Sequence, residues 1–139
     1  MLPPLVYLNY RIHTTMTGLE CLALVIYFEA RSEPVAGQIA VAEVVYNRMV
    51  DHRFPDTLCD VVYQRKQFSW THDGKSDVPK NKKKYNKIYA LAKEIQKGDM
   101  FEGHGATHYH ADYVAPYWRK DLTLIKKVGK HMFYRWETK

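Results

Sequence analysis

Apolar positions recur at helical spacing through most of this 139-residue chain and give way to alternation near its end. In residues 17–31, TGLECLALVIYFEAR, Leu19, Leu22, Ala23, Ile26 and Ala30 fall on one stripe at about 100° per residue. Thr17 followed by Glu20 has the spacing of a capping box, so the helix is predicted to start there. Ser32-Glu33-Pro34 interrupts the pattern, because proline disfavours helix in the residue before it yet fits the first turn of the next. A second helix is predicted over 35–49, burying Ile39, Ala42, Val45 and Tyr46. Residues 51–55 read as a turn, 56–63 as a short helix capped at Asp56 or Thr57, and 64–79 as an irregular segment. A further helix over 81–97 carries Tyr85, Ile88, Tyr89, Ala92 and Ile95 at helical spacing and stops at Gly98. Residues 107–113, 122–128 and 131–136 alternate like strands, the last two joined by a turn at Gly129-Lys130. Helices precede strands, without repeats or low-complexity linkers. The pattern predicts one α+β domain over 1–139, mostly helical, with a small antiparallel sheet in its C-terminal half. Residues 1–16 form an N-terminal extension to which the pattern assigns no role.

Glu29 breaks the first stripe. It lies seven residues after Leu22 and three after Ile26, at the edge of the apolar face, whereas Glu20 projects from another side. A carboxyl held against apolar neighbours loses hydration, which raises its pKa and keeps a proton available near neutral pH. A general acid needs that property. The competing reading is a glutamate paired with Arg31 or Arg48 on a solvated rim.

Composition narrows the class. Hydrophobic residues make up 46% of the chain, which excludes intrinsic disorder. No apolar run reaches the roughly 20 residues of a membrane span. Cys21 and Cys59 do not make a disulfide scaffold; one bridge is the alternative, and two buried thiols are the preferred reading. The formal charge of +6 arises largely from Lys75, Lys80, Lys82, Lys83, Lys84 and Lys87, opposed only by Asp77. Such a block reads first as a solvated loop and helix start. It would also draw the protein to an anionic polymer, wall or nucleic acid alike.

The run IYFEARSEPVAGQIAVAEVVYNRM, continuing to HRFPDTLCDVVYQRKQFSW, resembles the catalytic domain of the SleB/CwlJ family of cell-wall hydrolases. The resemblance resumes at GATHYHADYVAPYW (105–118) and GKHMFYR (129–135). It implies a lysozyme-like fold and cleavage of the peptidoglycan glycan strand between N-acetylmuramic acid and N-acetylglucosamine, as a lytic transglycosylase. It assigns the catalytic acid to the glutamate of a Y-x-E-A-R segment, matched here by Tyr27-Phe28-Glu29-Ala30-Arg31, and implies no metal or other cofactor. Without an export signal in MLPPLVYLNYRIHTTM, it fits a phage endolysin made in the host cytoplasm and acting on the wall after release. A monomer acting on peptidoglycan, with no nucleic-acid partner, is expected.

Cleavage by retention or inversion needs two carboxylates. Glu33, Glu43, Asp56, Asp60 and Asp73 are within reach of the motif, but none has a claim like that of Glu29. With a single acid, the economical route is intramolecular, closing an anhydro ring without water. Sugar binding needs flat rings flanked by hydrogen-bonding groups. Gln67, Ser69, Trp70 and Tyr109 are the preferred groove residues, flanking the segments that match the family; Tyr113, Tyr117 and Trp118 are further aromatic candidates. Asn47 and Arg48 are read as structural. The rival enzyme is a zinc-dependent amidase using His108 and His110, which share a face on a strand, joined by His104 or His131. No H-E-x-x-H motif supports it. A non-enzymatic module binding wall or nucleic acid through lysines and tyrosines is the other rival.

Overall fold

A computed structural model describes residues 16–64 and 67–137 of the chain. The N-terminal extension up to residue 15 lies outside the described residues. Helix α1 spans Gly18–Ala30, and its capping box is formed: the Thr17 hydroxyl accepts from the Glu20 N–H at 3.1 Å and Glu20 Oε1 accepts from the Thr17 N–H at 3.0 Å. The predicted single stripe is too narrow. Every residue from Cys21 to Tyr27 is buried, so α1 is a central helix, wrapped by α2 (Val35–Val50), α3 (Leu58–Val62) and α4 (Lys82–Ile95). The reason is visible in CLALVIYF: eight residues without a charge leave no solvated side.

The break between α1 and α2 falls where proline placed it, although Pro34 serves as the N-cap of α2 rather than its first helical residue. Gln38 fastens the corner by donating from Nε2 to the carbonyls of Ala30 at 3.2 Å and Glu33 at 3.3 Å. The Ala30 carbonyl also accepts from the Glu33 N–H at 2.9 Å, so the end of the helix is closed by backbone and side chain together. Helix α3 is capped by Thr57, whose hydroxyl accepts from the Asp60 N–H. A bridge joins Cys21 of α1 to Cys59 of α3, correcting the reading of two thiols. The irregular segment contains a short 3-10 turn at Ser69–Thr71. Helix α4 starts at the Asn81 cap, buries Ile88, Ala92 and Ile95, and presents its lysines to solvent.

Three strands follow: β1 (His108–Ala111), β2 (Thr123–Val128) and β3 (His131–Arg135), in the antiparallel order β1-β3-β2. Tyr109 faces Phe133 and His108 faces Tyr134 across the β1–β3 ladder. Alternation along β1 thus puts Tyr109 on the face turned to the helices and His108 and His110 on the other. The inner face packs on α2 through Phe133, Ala30, Ala40, Val41, Val44 and Ala106. A 3-10 turn at Tyr117–Asp121, which the alternation did not predict, covers the outer face by placing Trp118 against His108, His110 and Tyr134. The β2–β3 turn docks on the α1–α2 corner, where Glu33 Oε1 accepts from the Lys130 N–H at 2.8 Å. Gly129 has φ +56° and lies so close to this carboxylate that a Cβ would sit 2.3 Å from Glu33 Oε1. Glycine is therefore required for both conformation and space.

Candidate active site

Glu29 occupies the last turn of α1, where the helix leaves the core and meets the sheet. Its residue is half-buried, and burial pushes its pKa above the usual carboxylate range. Three groups oppose that shift, in decreasing order: the Tyr109 hydroxyl, the Arg48 guanidinium and the Trp70 indole. The Tyr109 hydroxyl donates directly to Glu29 Oε1. Burial first, then the charge of the neighbouring Glu29 and the bond to it, push the Tyr109 pKa far up, so the phenol keeps its proton and remains a donor. Arg31 does not pair with Glu29; it donates to the Tyr27 carbonyl at 3.2 Å and lies over the Tyr27 ring.

The groove residues separate. Tyr109 sits at the acid as a hydrogen-bond donor, with its ring against His131 and Phe133. Trp70 is 7% exposed, stacked at 4.7 Å on Phe28 and edge-on to Tyr63. Its face is covered, so it forms the wall behind the acid instead of an open stacking platform. Its indole N–H is buried without a full hydrogen bond among the described residues, yet is close enough to influence the Glu29 carboxyl. Gln67 and Ser69 flank it on the same segment and are exposed. Tyr113 and Tyr117, beyond β1, are both 83% exposed.

The other carboxylates have different work. Glu43 is buried and accepts from the N–H groups of Glu102 at 3.1 Å and His104 at 2.8 Å, shaping the approach to β1. Glu33 holds the β2–β3 turn, with His131 Nδ1 3.8 Å away. Asp56, Asp60 and Asp73 are exposed. Among the described residues, no second carboxylate contributes to the shift at Glu29.

Sequence reasoning undervalued Arg48. It is 4% exposed, donates from Nε to the Thr107 carbonyl at 2.8 Å, and lies in the field of both Glu29 and Tyr109. The signal was present: Arg48 falls seven residues after Val41 and four after Val44, on the buried stripe of α2. The same periodicity singled out Glu29. Asn47 keeps its structural reading, donating to the Ala106 carbonyl at 2.9 Å.

The histidines are dispersed. His104 Nδ1 accepts from the Ala106 N–H, and its Nε2 lies 3.2 Å from the Ala40 carbonyl. His110 Nε2 is 2.8 Å from the Tyr134 hydroxyl. His108 sits among Phe54, Trp118 and Trp136, and burial beside Arg48 and Arg53 lowers its pKa to about 4. Among the described residues, no three His, Cys, Asp or Glu side chains gather to hold a metal ion, so the amidase reading finds no ligand set there.

A helical lobe and a small sheet that meet beside the half-buried Glu29 define a lysozyme-like fold. Residues 32–134 match the family described as cell wall hydrolase, and the chain belongs to that family. That match begins three residues after Glu29 and therefore does not bear on the acid itself. The chain is 32% identical over 119 residues to the spore cortex-lytic enzyme of Oceanobacillus iheyensis, covering 86% of this chain and 42% of the relative. The spore cortex-lytic enzyme of Bacillus subtilis is 30% identical over 112 residues, covering 81% of this chain and 35% of the relative. The chain thus spans less than half the length of these curated relatives. Among solved structures it is similar to the catalytic domain of the germination-specific lytic transglycosylase SleB from Bacillus anthracis, with TM-score 0.67 and 28% identity over 85% of this chain and 93% of that one. The catalytic domain of the Bacillus cereus SleB protein gives TM-score 0.66 and 28% identity over 85% and 89% of the two chains.

Proposed function

We propose that the chain cleaves the glycan strand of peptidoglycan between N-acetylmuramic acid and N-acetylglucosamine as a lytic transglycosylase, with Glu29 as its only general acid and base. The observation that carries this reading is a half-buried carboxyl with raised pKa, bonded to one tyrosine hydroxyl and unaccompanied by a second perturbing carboxylate among the described residues. Similarity to a solved lytic transglycosylase domain supports it.

The chemistry follows from these groups. Protonated Glu29 gives its proton to the glycosidic oxygen as the C1–O bond breaks, and the leaving sugar departs as an alcohol. Positive charge at C1 of the muramic residue faces the new carboxylate, which the Tyr109 hydroxyl, Arg48 and the Trp70 N–H stabilise. The same carboxylate then takes the proton of the muramic 6-hydroxyl, whose oxygen attacks C1 and closes a 1,6-anhydro ring. Glu29 ends protonated, and no water is consumed. Tyr109 and Trp70 hold the acid, while exposed Gln67 and Ser69 on the adjoining segment bind the strand. No helix among the described residues is long and apolar enough to cross a membrane. The proposed site of action is the wall beyond the inner membrane, reached as a monomer after release from a host cell.

Glu29→Gln preserves shape and removes the proton. It abolishes release of soluble fragments from purified peptidoglycan while leaving binding to the insoluble wall intact. Mass spectrometry of wild-type digests shows anhydro ends. Reducing ends would replace the transglycosylase step with hydrolysis, and free lactyl groups would point to an amidase.

A further inference from the structure

The groups around Glu29 leave one buried charge without a full set of partners. Arg48 uses Nε on Thr107, but its Nη1 is buried with no hydrogen-bond partner. Phe54 and Phe68 flank the guanidinium, their ring centroids 5.0 and 5.4 Å from its carbon. Aromatic faces favour a cation, yet a buried guanidinium remains costly unless an anion meets it. Nearby acids are committed elsewhere. Glu43 is held by two backbone N–H groups, and Asp51 is gripped by Arg53 at 2.9 and 2.7 Å. Among the described residues, the Glu29 carboxyl is the one acid whose field, after that of the Tyr109 hydroxyl, reaches the Arg48 guanidinium.

The backbone links the same groups. Thr107 stands two residues before Tyr109, which donates to Glu29. Asn47 grips the preceding carbonyl, that of Ala106. The last turn of α2 therefore holds the entry to β1 at two consecutive carbonyls and sets where Tyr109 meets the acid.

We propose that Arg48 is a positioning residue for the Glu29 chemistry: its side chain locks the strand that brings Tyr109 to the acid, and its charge stabilises the carboxylate left when Glu29 gives up its proton. The inference rests on Glu29 being the acid and base of the reading above. In that cycle Glu29 must begin protonated and be ionised halfway through. Burial favours the first state and Arg48 the second. Tyr109 from β1 and Trp70 from the 3-10 turn face Glu29, His131 from β3 lies against the Tyr109 ring, and His108, on the other face of β1, is in the field of Arg48, Asp51 and Arg53. His108 is neutral at neutral pH, and Asp51 and Arg53 offset each other, so Arg48 is the unbalanced charge.

The test compares wild type, Arg48→Gln and Arg48→Lys by rates on soluble glycan fragments across the pH range, with circular dichroism and melting as checks of folding. Removing the charge makes Glu29 hold its proton longer. In Arg48→Gln the alkaline limb of kcat/KM moves up by about one pH unit, and kcat falls about tenfold because Glu29, now a weaker acid, gives up its proton to the leaving oxygen less readily. Arg48→Lys keeps the charge without the Nε bond to the Thr107 carbonyl, so kcat falls while the limb stays in place. An unmoved limb in folded Arg48→Gln overturns the proposal, as does a limb in Arg48→Lys displaced as far as in Arg48→Gln. If Arg48→Gln does not fold, Arg48→Lys decides alone: a displaced limb refutes, and a held limb with reduced kcat supports. Glu29→Gln run alongside separates the two ideas. Its retaining activity would remove the acid assignment itself, whereas an inactive Glu29→Gln beside an unmoved Arg48→Gln limb removes only the role of Arg48.

Discussion

Two charged residues written into apolar stripes, Glu29 on α1 and Arg48 on α2, are the acid and the cation of the proposed site. Periodicity marks Glu29, whereas Arg48 reads as structural in the sequence, although it too is a charge on a buried face that has to be met by something. What periodicity could not say was that both lie beside the strand carrying Tyr109, in each other's field. That juxtaposition depends on a contact from α2 to Thr107, 59 positions away in the chain. Trp70 shows the opposite limit. Its motif position marked it, but whether its ring is a platform or a wall depends on Phe28 stacking over it. The raised pKa of Glu29 also has a stability consequence. Between the ordinary value of 4.5 and the higher folded value, the native state holds a proton that the unfolded chain has lost. Stability therefore falls as pH rises through that window, by about 1.4 kcal/mol for each unit of separation, and the deficit persists above it. Glu29→Gln removes the titration while keeping an acceptor for Tyr109. It is expected to melt higher than wild type at neutral pH, with the advantage shrinking to nothing toward pH 4.5. A variant that melts lower at every pH would mean that the carboxylate is not strained by its burial.

At the scale of elements, the local signals were strong where they were chemical. Thr17 with Glu20 and Gly129-Lys130 each placed an end or a turn where the structure has it, while the helix expected over 81–97 spans Lys82–Ile95 behind its Asn81 cap. The 3-10 turn carrying Trp118 was illegible because its pattern has neither helical nor strand period; it is held by the outer face of the sheet. The docking of the β2–β3 turn was hidden as well, since a turn motif says nothing about what the turn will touch. Here it touches Glu33, at the corner from which α1 delivers Glu29. Gly129→Ala tests that coupling. A Cβ at this position collides with the carboxylate and forces a left-handed backbone on alanine, which together cost about 2 kcal/mol or more. The expected result is a clear drop in melting temperature, with Glu33→Ala partly restoring it by removing the obstacle. If Glu33→Ala brings no recovery, backbone strain alone explains the loss and the turn does not depend on its seat at the corner.

For the whole molecule, the order of elements was readable, but the cross-link was not. Cys21 and Cys59 are 38 residues apart and looked like two small apolar side chains on separate helices. Only when α3 packs on α1 do their Cα atoms come within 5.3 Å, a spacing that permits a bridge. The bond ties the start of the central helix to the element that leads into the Trp70 segment, closing a loop that holds all of α2. By the chain-entropy argument such a loop contributes roughly 3–4 kcal/mol, a large share of the stability of a domain this size. Glu29 lies eight residues along α1 from Cys21, about 12 Å at helical rise, so the bridge does not touch the acid. Reduction should therefore separate stability from chemistry. Dithiothreitol, or Cys21→Ala with Cys59→Ala, is expected to lower the denaturant midpoint markedly while peptidoglycan cleavage at low temperature continues. A bridge that forms and persists also suits an oxidising wall environment, where the proposed substrate is found. Equal midpoints for the oxidised and reduced protein would show that packing of α3 on α1 suffices by itself. Loss of cleavage under conditions where the reduced protein remains folded would show that the bridge holds the catalytic segment in place.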